Sequence, residues 1–264
     1  MITSNRAQTS LSPVFQKYCN SDKFIYGNIK ECRKMHTNRT FSLFVIRSTR
    51  FKIDKYNYSC AVRQKYNIHS WEFSPSSQIQ LGYGLQSWKY FYKFDKQLRK
   101  QLTFRKHIKD AAEQEINKIL QKRNIKSRQN ITLVGVHIRR GDKVGNNDGF
   151  NIATPEYLNR SVNYYVTKYK FVLFIVISDG MKWSKDNMPS HVPIEYVSLG
   201  KRDLDMATVV ACDHTIMTIG TFGWWIGYLT NGEVVYLKDA AKKGSRFERI
   251  LNHKDHFYPH WIGL

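Results

Sequence analysis

The stretch Ile131-Thr132-Leu133-Val134-Gly135-Val136-His137-Ile138-Arg139-Arg140-Gly141-Asp142 decides the fold of this chain. Its first eight residues make an apolar run of the kind that fills a strand buried on both faces, and two arginines, a glycine and an aspartate follow at once. Downstream, similar runs at 171–177, 194–199, 215–219 and 234–237 alternate with helical patterns at 154–169, 203–212 and 222–229. That alternation predicts a parallel sheet with crossover helices. Thr154-Pro155-Glu156 supports one helix start: Thr can cap, Pro fits the first turn, and Glu favours the positive end of the dipole. Asn231-Gly232 predicts the turn before the last strand.

Upstream, residues 91–128 carry Phe94, Leu98, Leu102, Ile108, Ala111, Ala112, Ile116, Ile119 and Leu120 at helical spacing among charges, which predicts one or two amphipathic helices. Ser127-Arg128-Gln129-Asn130 is a polar joint, and the domain boundary is placed there, giving residues 1–128 and 129–264. The first 80 residues mix aromatic runs such as Phe41-Ser42-Leu43-Phe44-Val45-Ile46 with Lys, Arg, Asn and Tyr, and show no clean period.

A chain of 264 residues holds one large core or two modest ones, and 42% hydrophobic residues suffice to form them. The 42 Lys and Arg against 21 Asp and Glu leave +21, which favours polyanionic or phosphorylated partners. Nucleic acid is not the expected partner, because the basic residues are spread along the chain and no ribonucleoprotein signature is present. Cys19, Cys32, Cys60 and Cys212 show neither CxxC pairing nor a His at zinc spacing, so they read as isolated thiols or one disulfide. Asn38, Asn57, Asn130 and Asn159 begin Asn-x-Ser/Thr triplets, candidates for N-glycosylation in a secretory chain. The sequence contains no apolar run of membrane-spanning length, and residues 1–20 lack a signal-peptide core.

Chemistry concentrates where the strands end. In open α/β sheets ligands bind at the carboxyl edge, and Arg139-Arg140 stands there. A guanidinium donates two parallel hydrogen bonds to a phosphate, and adjacent arginines on a strand point opposite ways, so one is expected to face ligand and the other a structural carboxylate. A surface salt-bridge cluster with Asp142 is the alternative. Ser178-Asp179-Gly180 ends the next strand at the same edge, where Asp can also serve only as a helix cap. Asp203 and Asp205 flank a helix start; either can cap, and a carboxylate there can also accept from the N1–H and 2-amino group of guanine. In Cys212-Asp213-His214-Thr215-Ile216-Met217-Thr218-Ile219-Gly220-Thr221-Phe222-Gly223-Trp224-Trp225 a strand runs straight into a helix, which makes an anion site of the helix N-terminus. Thr221 reads as a cap and hydroxyl donor, and at least one of the two tryptophans as core packing.

These residues resemble a known family. His137-Ile138-Arg139-Arg140-Gly141-Asp142 is similar to the first motif of the galactoside α-1,2-fucosyltransferases, and residues 212–237 resemble their metazoan members almost residue for residue. Ser178-Asp179-Gly180-Met181-Lys182-Trp183 resembles a motif between the two, and Gly82 with Gln86-Ser87-Trp88-Lys89-Tyr90-Phe91 one upstream, so the match covers about residues 81–264. The resemblance implies an α/β, GT-B-like fold: a Rossmann-like parallel-sheet domain for the GDP-sugar in the C-terminal half and a truncated α/β acceptor-side domain before it. It implies inverting, metal-independent transfer of L-fucose from GDP-β-L-fucose to the 2-hydroxyl of a terminal β-galactoside on glycoprotein or glycolipid glycans, with no cofactor.

By matching positions, Arg139 would hold the β-phosphate with Arg140 in support, His137 and Asp205 would read the guanosine, and Thr221 with Phe222 would line the diphosphate end. Ser178 and Asp179 join the GDP-fucose-binding set. Asp142 is the candidate general base, with an ion pair to Arg140 as its alternative role. Related enzymes acting on protein O-linked or core glycans share the two arginines, but the match over 212–237 favours galactosides. The resemblance also implies a Golgi membrane protein facing the lumen. Thr9-Ser10-Leu11-Ser12-Pro13-Val14-Phe15 is similar to the segment after the family's Gly-Asn strand-to-helix turn, so the sequence is expected to begin inside the acceptor-side domain, without that turn, the stem or the anchor. A catalytically inactive GDP- or glycan-binding remnant is the alternative to an active enzyme.

Overall fold

The computed structural model describes residues 87–90, 92–145, 147 and 149–264. Asn38, Asn57, Cys19, Cys32, Cys60, the runs at 9–15 and 41–46, Gly82, Gln86 and Phe91 lie outside the described residues. Two compact units divide the chain: Phe104–Glu248 with His260–Leu264, and the residues up to Thr103 with Arg249–Pro259.

In the first unit, helix α2 (Lys106–Lys122; α1, Asp95–Gln101, belongs to the other unit) leads into the strand-helix alternation. There follow β1 (Thr132–Ile138), α3 (Pro155–Lys168), β2 (Val172–Ser178), α4 (Met181–Asn187), β3 (Ile194–Tyr196), α5 (Arg202–Val210), β4 (His214–Met217), α6 (Thr221–Thr230), β5 (Val234–Tyr236) and, after two short helices, β6 (Ile262–Gly263). The six strands form one sheet in the order β3-β2-β1-β4-β5-β6, and every neighbouring pair is parallel. That is the strand order of doubly wound nucleotide-binding sheets, with its switch point between β1 and β4.

The expected parallel sheet is therefore present. β1 and β2 carry the centre of the core, with Leu133, Val134, Val136, Ile138, Leu173, Phe174, Ile175 and Val176 fully buried. Helix α3 starts as its sequence requires: Thr154 accepts from Tyr157 N, and Pro155 occupies the first turn. Across the core it sends the Tyr157 hydroxyl to Met217 O at 2.7 Å and the Tyr165 hydroxyl to Thr215 O at 3.0 Å. Helix α6 is apolar on all sides and is buried accordingly, with Trp224, Ile226 and Tyr228 inside, and Asn231 in the left-handed region ends it. Helix α2 packs Ile108 and Ala112 against Ala207 of α5, and Lys122 with the neighbouring Arg123 pairs with Glu195 of β3.

Several elements differ from expectation. β3 stops at Tyr196 rather than 199: Leu199 N donates to Asp205 Oδ1 instead of to a neighbouring strand, and Gly200 at φ 71° leads on into α5. Helix α4 and strand β6 were not foreseen: α4 is seven residues and β6 two, too short for either period to show. In the other unit, Ser87 Oγ donates to Asp255 O, Lys89 pairs with Asp255, and Trp88 Nε1 donates to Lys254 O, tying the short turn Trp88–Tyr90 to helix α8 (His253–His256). Arg246–Ile250 is α7. Among the described residues no helix is long and apolar enough to cross a membrane.

Helix α5 lies so close to β1 that a Cβ on Gly135 would sit 2.7 Å from Val209 O, a backbone atom that cannot swing aside. Gly135→Ala should therefore lower unfolding stability by about 1–3 kcal/mol, read from urea denaturation. An unchanged midpoint would contradict this packing.

Candidate functional site

The switch point opens at the carboxyl ends of β1 and β4, and the residues that leave those ends are held to one another. Thr218, just past β4, donates its N–H to His137 O at 3.2 Å, and its Oγ1 accepts from Arg139 N at 2.9 Å. On the other flank, Asp179 just past β2 accepts from Arg140 N through Oδ1 at 2.6 Å, while its Oδ2 pairs with the Arg139 guanidinium. The exit of β1 is thus pinned from both neighbouring strands.

Arg139 therefore points along the site. Its guanidinium lies between the carboxylates of Asp142 and Asp179, and its Cγ is the nearest atom to where a Cβ on Gly220 would be, at 3.9 Å. Gly220 is the N-cap residue of α6, at φ 91°, a conformation that glycine takes readily, and no side chain caps the helix. The stem of Arg139 and the N-terminus of a ten-residue helix consequently lie close together.

The candidate residues fall into place unevenly. Thr221 is the first helical residue rather than the cap, because Gly220 takes that position. Phe222 packs its ring 5.2 Å from the His137 imidazole. His137 is buried, and a Cβ on Gly223 would lie 2.6 Å from its Nδ1, so the first turn of α6 rests directly on it. Burial first, and then the charge of Arg139, pushes His137 down from 6.5 to about 3, which keeps it neutral. Ser178 is occupied inside its own turn: Oγ donates to Ile138 O and accepts from Gly180 N. Asp205 does not cap α5; its Oδ1 accepts from Leu199 N at 2.8 Å and holds the loop before the helix. Burial raises Asp205 above the usual carboxylate range, the Leu199 bond opposes this, and Asp203 adds to it.

Of the two arginines, the carboxylates hold Arg139, the one expected to face ligand. Arg140 turns the other way: its guanidinium carbon stands 3.6 Å from the centroid of the Trp183 ring, and Nη1 donates to Ala153 O. Asp142 pairs with Arg139 and with Lys143, not with Arg140. Desolvation acts upward on Asp142, but the Lys143 hydrogen bond and the Arg139 charge prevail and hold it below the ordinary carboxylate value. Thr218 was missed by the sequence reading, although a polar residue closing a buried strand was its signal; Lys143, whose Nζ stands 5.0 Å over Phe150, was missed as well. Cys212 is a free buried thiol, pushed up by burial. Asn130 and Asn159 are exposed.

This geometry accompanies a match to the family description "Glycosyl transferase family 11" over residues 18–264. The chain belongs to glycosyl transferase family 11. Among the curated members that it resembles, galactoside alpha-(1,2)-fucosyltransferase 1 of Rattus norvegicus is 33% identical over 186 residues, covering 67% of this chain and 49% of that protein. Galactoside alpha-(1,2)-fucosyltransferase 2 of Gorilla gorilla gorilla is 30% identical over 214 residues, covering 76% of this chain and 61% of that protein. The chain thus spans about half to three-fifths of the length of these family 11 relatives. Solved structures of POFUT1 with GDP (TM-score 0.39, 12% identity, 53% of this chain and 48% of that one) and with GDP-fucose (TM-score 0.37, 12% identity, 63% and 52%) are more distant, and no part of the site rests on them.

The buried His137 couples the site to pH. Its value is depressed on folding, so the unfolded chain takes up a proton that the folded chain refuses. The stabilisation is complete above about 6.5 and is lost as pH falls toward about 3. The stability difference between the wild type and His137→Gln should shrink by about 1.4 kcal/mol per pH unit between pH 6 and 4, measured by urea denaturation. Parallel loss in both proteins would contradict a neutral buried imidazole.

Proposed function

We propose that this chain carries the GDP-sugar site of an inverting α-1,2-fucosyltransferase, moving L-fucose from GDP-β-L-fucose to the 2-hydroxyl of a terminal β-galactoside on glycoprotein or glycolipid glycans. The observation that carries the reading is the meeting of Arg139 with the N-terminus of α6 at the switch point of a parallel sheet. Membership of family 11, and relatives named as galactoside alpha-(1,2)-fucosyltransferases, supply the sugar chemistry.

In this reading the β-phosphate takes the place now held by the carboxylates on Arg139. Departure of GDP leaves charge on that phosphate, and a preformed guanidinium with a helix dipole stabilises it without reorganising at the moment of bond breaking. Neither group needs a metal ion to do so. Asp205, whose Oδ1 is engaged by Leu199, would read guanine through Oδ2, and neutral His137 would support the nucleoside end together with Phe222. Asp142 is ionised at neutral pH, which a base requires, but its pairing with Arg139 and Lys143 weakens it as a proton acceptor. We assign it to orienting Arg139, and the oxocarbenium character of the transition state lowers the demand on any base.

Residues 129–264 would then form the donor side, and residues 1–128 the acceptor side with its helical connector. A lumenal Golgi location, with anchorage to the membrane, agrees with the family relationship and with the exposed glycosylation triplets at Asn130 and Asn159.

Arg139→Ala should lower kcat for transfer from GDP-fucose to a terminal β-galactoside by at least about 100-fold, with the thermal transition retained. Turnover and melting that both match the wild type would refute the site.

A further inference from the structure

The turn from β2 to α4 grips both arginines at once. Asp179 takes the backbone N–H of Arg140 and the side chain of Arg139. One residue on, the Arg140 stem lies against Gly180, where a Cβ would stand 3.1 Å from Arg140 Cβ and 3.3 Å from Cδ. Three residues further, in the first turn of α4, the half-buried Trp183 offers its ring to the Arg140 guanidinium at 3.6 Å. Ala153 O accepts from Nη1 of the same group. A planar guanidinium over an indole face is a favoured and orienting contact, and a lysine ammonium cannot reproduce its flat overlap.

We propose that Trp183 is a positioning residue for the diphosphate site: by holding Arg140 on the α4 side it fixes the Arg139–Arg140 peptide, and with it the direction in which Arg139 is presented. The inference rests on the reading of Arg139 as the diphosphate ligand. It follows from the contacts, because Arg139 and Arg140 share one peptide just past β1 while Asp142 and Asp179 hold the first guanidinium and Trp183 the second. Releasing the Arg140 side chain would leave the peptide held by Asp179 and Thr218 alone and would put a second, mobile cation beside the ordered one. Trp183 itself touches no phosphate in this scheme; it acts through Arg140.

The test is titration calorimetry of GDP on the whole polypeptide, with circular dichroism and melting to fix the folded fraction of each variant. Trp183→Leu is expected to weaken GDP about tenfold, and Trp183→Phe, which keeps a flat face, to stay within about twofold of wild type. Arg140→Lys, which keeps the charge and leaves Trp183 intact, should also cost about tenfold. The double variant should be no weaker than the poorer single one, since both remove the same contact. Wild-type affinity in Trp183→Leu or Arg140→Lys, or losses that multiply in the double variant, would overturn the proposal while leaving the diphosphate site in place. If Trp183→Leu does not fold, Arg140→Lys decides alone. A wild-type chain that binds no GDP overturns the underlying reading, and the role of Trp183 with it.

Discussion

The carboxylate of Asp179 sets the site. One oxygen takes the N–H of Arg140 and the other faces the guanidinium of Arg139, so a single side chain just past β2 controls both the path of the chain leaving β1 and the group it presents. Thr218 does the complementary work from β4. These contacts exist only because β1 lies between β2 and β4 in parallel register, with Ile138 opposite Ser178 and His137 opposite both Ile177 and Met217. Three strand ends then arrive at one level, and three polar loops meet there. The buried core beneath, with β1 and β2 sealed on both faces, makes that level rigid.

Electrostatics follows from this frame. A guanidinium near a helix N-terminus is unfavourable without counter-charge, and Asp142 and Asp179 supply it to Arg139. On the proposed reading a diphosphate would supply the same compensation with more charge, so binding would exchange partners instead of creating them. His137, under the first turn of α6 and within reach of the Arg139 charge, would add a further positive charge if protonated; burial keeps it neutral. The wider excess of basic residues, +21 over the chain, favours the same class of ligand at longer range.

Much of this was legible in the sequence. The buried run before Arg139, the Thr154-Pro155 helix start and the glycine between β4 and α6 each carry a local signal strong enough to survive tertiary context. Side-chain roles were less legible, for a physical reason. Which of two adjacent arginines meets a carboxylate depends on Asp179, 39 residues away from Arg140, and on Trp183, whose helix is too short to announce itself. Thr221 looked like a cap because Thr caps well, yet Gly220 alone takes the φ of 91° that the turn demands, and this displaces the cap by one residue. Asp205 likewise reads as a helix-start carboxylate, and only the fold shows that its oxygen reaches back six residues to Leu199.

The central claim is that an anion binds where Arg139 and the first turn of α6 converge. A crystal structure of the protein with GDP tests it most directly. Binding there requires a β-phosphate oxygen within about 3 Å of the Arg139 guanidinium and of backbone N–H groups at the start of α6, with the Arg139 pairs to Asp142 and Asp179 loosened. GDP bound elsewhere, or seated with Arg139 still locked between those two carboxylates, would contradict it.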